Sequence, residues 1–371
     1  MNILYKVPLD LKDIAYFLEE EQNFLKGFLK QLEEVNTEKI DKKSVEVIQL
    51  LLNEMSSEVD IIYPMKSPHI QIQALITLAN TFSKVFSKTK LEQLGIASKW
   101  ILLNNGYLGS FVKEDYEIAI LLYLIALVYQ ANALKNVQTS IQYRYFYISA
   151  LAAIKGAILF MEKLAPAEEH YAYPFYQMLL LRKLEVEAEI TKSEAFIARK
   201  QGNFDKAAKL FAGAAAFRFS MMNFDLPVGS DNRVKIYASS ELGMACFYIA
   251  VGLSNMSEAE QSHYYLLKAK KYFENAAKLS ENNTELLEAA NKRLDLVNPY
   301  IDRIKDLVEK PTRNIDEIPD PQPLMIHPDP DALFFPKDNS TGAHLICSNC
   351  IKKIPWTDTC PKCGEKIVPI E

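Results

Sequence analysis

Four cysteines lie within the last twenty-five residues of this 371-residue chain. Cys347 and Cys350 form one pair, C-S-N-C, and Cys360 and Cys363 form another, C-P-K-C, followed by Gly364. A C-x-x-C turn lets two thiolates grip one metal ion, and the glycine serves a knuckle that needs positive φ. Four thiolates at tetrahedral corners select zinc, and a closed all-cysteine shell leaves no open position for a substrate. The chemistry expected of Cys347, Cys350, Cys360 and Cys363 is therefore a structural zinc ribbon over residues 341–371. The alternatives are two disulfides or a redox dithiol. Each needs an oxidising compartment or a thioredoxin-like β-α pattern, and the sequence carries neither sign.

A segment this short cannot bury a core of its own, so metal binding must supply its folding free energy, on the order of 10 kcal/mol. Ile346, Ile351, Ile354, Trp356 and Ile367 are available to pack around the ion. Trp356 reads as a cover for the metal or as a binding anchor. The ribbon is not basic: Lys337, Lys352, Lys353, Lys362 and Lys366 stand against Asp338, Asp358, Glu365 and Glu371, and the whole chain carries net charge −5. Phosphate-backbone binding wants a basic face, so the charge balance argues against nucleic acid.

The elements that must carry this tail are helical in pattern. Glycine is scarce, at 12 residues, and proline is sparse before Pro311. Residues 11–309 read as all-α, with helices over about 11–35, 43–57, 70–87, 88–105, 115–134, 141–164, 175–201, 205–223, 233–253, 258–279 and 285–309. Gly106 and Gly109 are the expected stop of the fourth, and Asp115 the cap of the fifth. No stretch before Pro311 alternates long enough to argue a sheet. The most apolar run, 118–134, is shorter than the roughly 20 residues of a membrane span and is broken by Gln130 and Asn132. It reads as a helix buried on all sides. No secretory signal is visible at the start, and reduced cysteine with zinc points to the cytoplasm. Cys246, in M-A-C-F-Y-I-A, reads as an inert core thiol.

Residues 195–216 read A-F-I-A-R-K-Q-G-N-F-D-K-A-A-K-L-F-A-G-A-A-A. Small residues flank a Gly-Asn turn and an aromatic fills the gap, which is the packing grammar of tetratricopeptide hairpins. A looser version spans 239–278. No strict 34-residue period runs through the chain, so these are repeat-like hairpins in one larger helical solenoid. From Pro311 to Pro336 seven prolines forbid a continuous helix. Yet Ile315, Ile318, Leu324, Met325, Ile326, Leu333, Phe334 and Phe335 make this stretch too apolar for a free linker. It is expected to lie along the body as an extended strap. The domain reading is thus a body over 1–310, a strap over 311–340 and a ribbon over 341–371.

No catalytic constellation is legible. The five histidines are His69, His170, His263, His327 and His344, and none makes an H-E-x-x-H pair. No glycine-rich phosphate loop and no G-x-S-x-G elbow is present. Glu185, Glu187, Glu189 and Glu194 read as solvated helix surface, and only Glu260–His263 has the E-x-x-H spacing of a di-metal bundle. Tyr143, Tyr145, Tyr147, Tyr171, Tyr173 and Tyr176 suit either protein recognition or core. The chain reads as no enzyme.

Lys99-Trp100, placed in the expected fourth helix, is followed by Tyr116-Glu117-Ile118-Ala119-Ile120-Leu121-Leu122-Tyr123. With the hairpins at 195–216 and 239–279, and Asn314-Ile315, Ile318-Pro319 and Leu324 in the strap, this order resembles the Bro domain family of ALIX-type proteins. The match departs from the family pattern in the order Lys-Trp, at Ile118 in place of Lys and at Leu124 in place of Asn. It covers about 1–336, and the ribbon is no part of the family plan. The resemblance implies a curved helical adaptor in membrane remodelling. Its partner would be an amphipathic tail helix of an ESCRT-III-type subunit, received on the repeat-like helices over 175–224, with membranes reached indirectly. Two other readings stand beside it: a tetratricopeptide-like scaffold of another pathway with the ribbon as second docking module, and a nucleic-acid-associated zinc-ribbon factor.

Overall fold

The computed structural model describes residues 3–7, 98–102, 108–111, 114–164, 173–224, 230–305, 307–308, 314–333, 345–346 and 353–354. The expected helices over 11–35, 43–57 and 70–87 lie outside these residues. Among the described residues seven α-helices dominate: α1 Glu114–Ala133, α2 Ile141–Lys163, α3 Tyr173–Lys200, α4 Phe204–Met221, α5 Ser230–Asn255, α6 Ala259–Leu279 and α7 Thr284–Lys305. The chain divides into two compact units, Met1–Lys183 with Asp329–Glu371, and Leu184–Pro328.

The helix boundaries have local causes. Ser140 caps α2, its hydroxyl accepting from the Tyr143 N–H at 3.1 Å. Gly202, at φ 74°, makes the turn between α3 and α4, and the Asn203 side chain caps α4 by accepting from the Lys206 N–H at 3.1 Å. Asn283 caps α7 in the same way, through the Leu286 N–H at 3.1 Å. Asp115 is not the cap of α1. The helix begins one residue earlier, and Asp115 pairs with Lys163 near the end of α2, at 3.1 Å.

In the first unit α1 and α2 pack together. Residues 118–130 of α1 are buried without a break, which is what an all-round apolar helix requires. Phe175, at the start of α3, meets the rings of Tyr116 and Tyr123 at 5.3 and 5.9 Å. By length and composition α2 and residues Asp231–Asn255 of α5 could each cross a membrane, but 78% and 67% of their most apolar windows are buried inside the fold.

The helical fold class holds for the bulk of the described residues, and the first unit adds a small sheet where the sequence reading expected none. Ile3–Val7 (β1), Ser98–Leu102 (β2) and Leu108–Phe111 (β3) form a small sheet in the order β1-β2-β3, parallel between β1 and β2 and antiparallel between β2 and β3. Lys99-Trp100 therefore sits in a strand, not in a fourth helix, and Gly109 pairs with Trp100 instead of ending a helix. Strands of four or five residues are too short for alternation to declare them. The parallel pairing joins segments far apart in sequence, a contact no local window contains.

The second unit is a helical stack in which α4 packs on α5, α5 on α6 and α6 on α7. Its core joins Ala195 and Ala198 of α3 with Ala207, Ala208, Leu210 and Phe211 of α4, Cys246 and Tyr248 of α5, Phe273 of α6 and Val297 of α7. Burial pushes the Cys246 thiol up to about 12, which suits an inert core position.

Candidate interaction surface

The α3–α4 hairpin is built as the alanine pattern demands. Its alanines are buried and let the helices approach, while Phe196 meets Phe211 edge-on at 5.1 Å. Phe211 in turn stacks on Tyr248 of α5 at 5.5 Å. Beneath this apolar contact lies a charged cluster. Arg218 of α4, 3% exposed, bonds Glu189 of α3, and its Nε lies 3.6 Å from Glu241 of α5. Lys192 reaches Glu189 at 2.6 Å and Glu241 at 3.9 Å. The Arg218 guanidinium also sits 5.2 Å from the centre of the Tyr237 ring.

Neither carboxylate oxygen of Glu241 has a hydrogen-bond partner among the described residues. Burial raises its carboxyl above the ordinary value, and Arg218 and Lys192 offset this only in part. Burial opposes the Arg218 cation, yet Glu241, Glu189 and Glu185 outweigh it and hold the guanidinium charged. Glu187 is 2% exposed, so it and Glu189 are not the solvated surface that their spacing suggested. Arg218 and Glu241 escaped sequence reading. The signal was there: each is a charge set inside an apolar or small-residue run.

Residues 314–328 lie along α6, α4 and α3 with no helix beyond a 3-10 turn at Ile315–Glu317, and residues 329–333 lie on α2. Three groups of contacts hold the segment. On α6, Lys271 pairs with Asp316, Lys268 donates to the Ile318 carbonyl and pairs with Asp320 at 2.9 Å, and Tyr272 donates to Asp320 at 2.8 Å. On α3 and α4, the Leu324 N–H donates to the Lys209 carbonyl at 2.8 Å, and the Ile326 N–H donates to the Thr191 hydroxyl at 3.3 Å. His327 lies over Phe217 at 4.9 Å and against Glu187 at 3.4 Å. On α2, Lys155 pairs with Asp329 and donates to the Pro330 carbonyl at 3.1 Å, and the Leu333 N–H donates to the Ala152 carbonyl at 3.0 Å. Gly213 permits the middle contact: a Cβ there would stand 2.1 Å from the Leu324 carbonyl oxygen.

The row Lys209, Gly213 and Phe217 of α4 is thus occupied by the chain itself. At the end of α4 two large apolar side chains are exposed, Phe219 in its last turn at 46% and Met222 just beyond it at 38%. Elsewhere Leu296 and Tyr300 are exposed on the second half of α7 and Leu307 just beyond it, and Leu134, Val137 and Ile141 at the α1–α2 turn.

The expected metal ligands Cys347, Cys350, Cys360 and Cys363 lie outside the described residues, as does His344. Among the described residues no group of three or more His, Cys, Asp or Glu is placed to hold a metal ion. His263, next to Glu260 on α6, is buried, and burial lowers its imidazole below the ordinary value. Tyr143 and Tyr147 are core, their rings 4.8 Å apart.

No family model matches the chain, and no curated protein matches it in sequence. Solved structures do. The chain matches the Bro1 domain of ALIX in its complex with CHMP4C, with TM-score 0.53 and 10% identity over 93% of this chain and 94% of that one. It matches ALIX bound to the SIVmac239 late-domain peptide PYKEVTEDL, with TM-score 0.57 and 12% identity over 83% of this chain and 48% of that one. A third match is a structure described as the basis for endosomal targeting by the Bro1 domain, with TM-score 0.50 and 13% identity over 87% of this chain and 89% of that one. At such identities the likeness is one of fold, and the fold is that of Bro1 domains.

Proposed function

We propose that this chain is a non-enzymatic adaptor that receives an amphipathic helix from the tail of an ESCRT-III-type subunit. One observation supports this above the others: the described body is a Bro1-type helical fold, and one structure it matches across nearly its whole length is a Bro1 domain in complex with CHMP4C. The helix-in-groove mode needs apolar anchors at helical spacing entering a helical surface. The α3–α4 region supplies such a surface on the side that residues 314–333 leave open, with Phe219 and Met222 exposed. We read 311–340 as an extended strap whose part 314–328 lies on helices of the second unit and whose part 329–333 lies on α2 of the first. Such an adaptor works in the cytoplasm and meets membranes through its partners.

Binding of fluorescently labelled ESCRT-III tail helices to the full chain tests the reading. Saturable binding should weaken at least tenfold in F219D/M222D, while the far-UV helix signal is unchanged. Absence of binding by every tail helix at high peptide concentration would leave a tetratricopeptide-like scaffold of another pathway as the better account.

A further inference from the structure

The adaptor reading leaves the four tail cysteines without a task. We propose that Cys347, Cys350, Cys360 and Cys363 hold one zinc ion in a closed tetrathiolate site. The described residues on either side of the first pair carry the structural part of the case. Leu345–Ile346 pairs antiparallel with Lys353–Ile354, in the register Leu345↔Ile354 and Ile346↔Lys353. Cys347 and Cys350 both fall in the sequence between these two strands. A strand pair of two residues a side cannot stand alone in water. Something else must hold the hairpin, and the second pair, Cys360 and Cys363, follows with nine residues between Cys350 and Cys360. Four deprotonated thiols around one divalent ion supply the missing bonds, because each ligand closes a loop of the chain as it binds.

The fifth cysteine sharpens the case by contrast. Cys246 is fully buried in the core of the second unit, with its thiol pushed up to about 12, and it has no access to a metal. The chain thus separates one thiol kept for packing from four paired at C-x-x-C spacing. The tail is also leashed. Leu333 is buried and bonded to Ala152 of α2, and residues 334–344 separate it from the hairpin. At roughly 3.3–3.6 Å per residue, Cys347 stays within about 50 Å of Leu333. The core of the second unit shares none of these residues, so loss of the metal should leave its helices standing. With four protein ligands the ion has no open position, so its part is structural and it performs no hydrolysis.

The full chain purified without added metal tests this by elemental analysis. The expected content is about one zinc per chain. It should fall below a tenth of that in C347S/C350S and in C360S/C363S, and stay unchanged in C246S. Far-UV helicity should be the same in all four proteins. Cobalt(II) exchanged into the wild type should give the ligand-field bands of a tetrahedral tetrathiolate, and this measurement stands even if the double variants aggregate. Three results would overturn the proposal: zinc content that does not respond to the double substitutions, iron in place of zinc, or a metal-free chain whose tail thiols are paired as disulfides.

Discussion

The protein spends its charges in two contrasting ways. Around Arg218 they are buried between helices: Glu189, Lys192 and Glu241 meet within one cluster. Along residues 314–333 they lie mostly at the surface, where Lys271, Lys268 and Lys155 each take an aspartate of the segment. The same ion pairing does different work in the two places. A buried pair adds little net stability over an apolar replacement, but removing one partner strands the other. A surface pair costs little to make and little to lose, so it sets position more than stability. The helical stack is thus locked against partial change, while the segment that crosses it is held by many weak ties.

Arg218→Ala gives the largest expected effect. It leaves buried Glu241 and half-buried Glu189 without their closest cation, and such a loss costs about 3–5 kcal/mol. Urea unfolding at neutral pH should show this as a large drop in midpoint. The deficit should shrink as pH falls. Burial already raises the Glu241 carboxyl, and without Arg218 it rises further. The folded state then binds a proton that the unfolded state does not, so acid favours folding through that window. Exchanging the whole cluster, as R218M/E189Q/E241Q, should recover most of the loss. If R218A is as stable as the parent, the cluster is not the lock described here.

Gly213→Ala tests the other side of the contrast through packing instead of charge. An alanine inside a helix gains roughly 0.5–1 kcal/mol over glycine. Here its Cβ would also lie within 3.0 Å of the Leu324 carbonyl carbon and oxygen and the Met325 nitrogen, all backbone. Relief of that overlap must displace residues 322–326, at about 1–3 kcal/mol. Hydrogen exchange should therefore speed at the Leu324 and Ile326 amides while protection inside α4 holds. Unchanged exchange at those two amides would mean that the segment does not rest on the hairpin.

What the sequence disclosed follows the same division. The α3–α4 turn was plain because Gly202-Asn203 states it within two residues, and the helices from 114 to 305 were plain because their apolar positions recur locally. The Bro1-type fold followed from their order. The sheet was not legible, since β1 finds β2 across residues 8–97 and neither strand is long enough to show a period. The buried cluster was missed for a related reason. Glu187 and Glu189 sit among other glutamates on α3 and look solvated until Arg218 and the strand of chain at His327 cover them. The cysteine spacing carries an expectation of zinc on residues that lie outside the part of the chain described.

Two lysines on α6 resolve the contrast at its finest grain. Lys268 and Lys271 lie one turn apart and tie the same short stretch of chain, yet the Lys268 side chain is 9% exposed and that of Lys271 is 57% exposed. Lys268 bonds both the Ile318 carbonyl and Asp320, and Asp320 also receives the Tyr272 hydroxyl. Lys268→Met keeps the apolar stem but leaves that carbonyl and carboxylate short of a donor, at a cost of about 1–3 kcal/mol. Lys271→Met removes a screened surface pair with Asp316 and should cost under about 1 kcal/mol. Salt separates them further, because half-molar salt shortens the screening length to a few ångströms, well under the roughly 10 Å found at 0.1 M. The small effect of Lys271→Met should vanish there, while that of Lys268→Met should persist. Equal losses for both variants at both salt concentrations would erase the distinction between burial and surface on which the contrast rests.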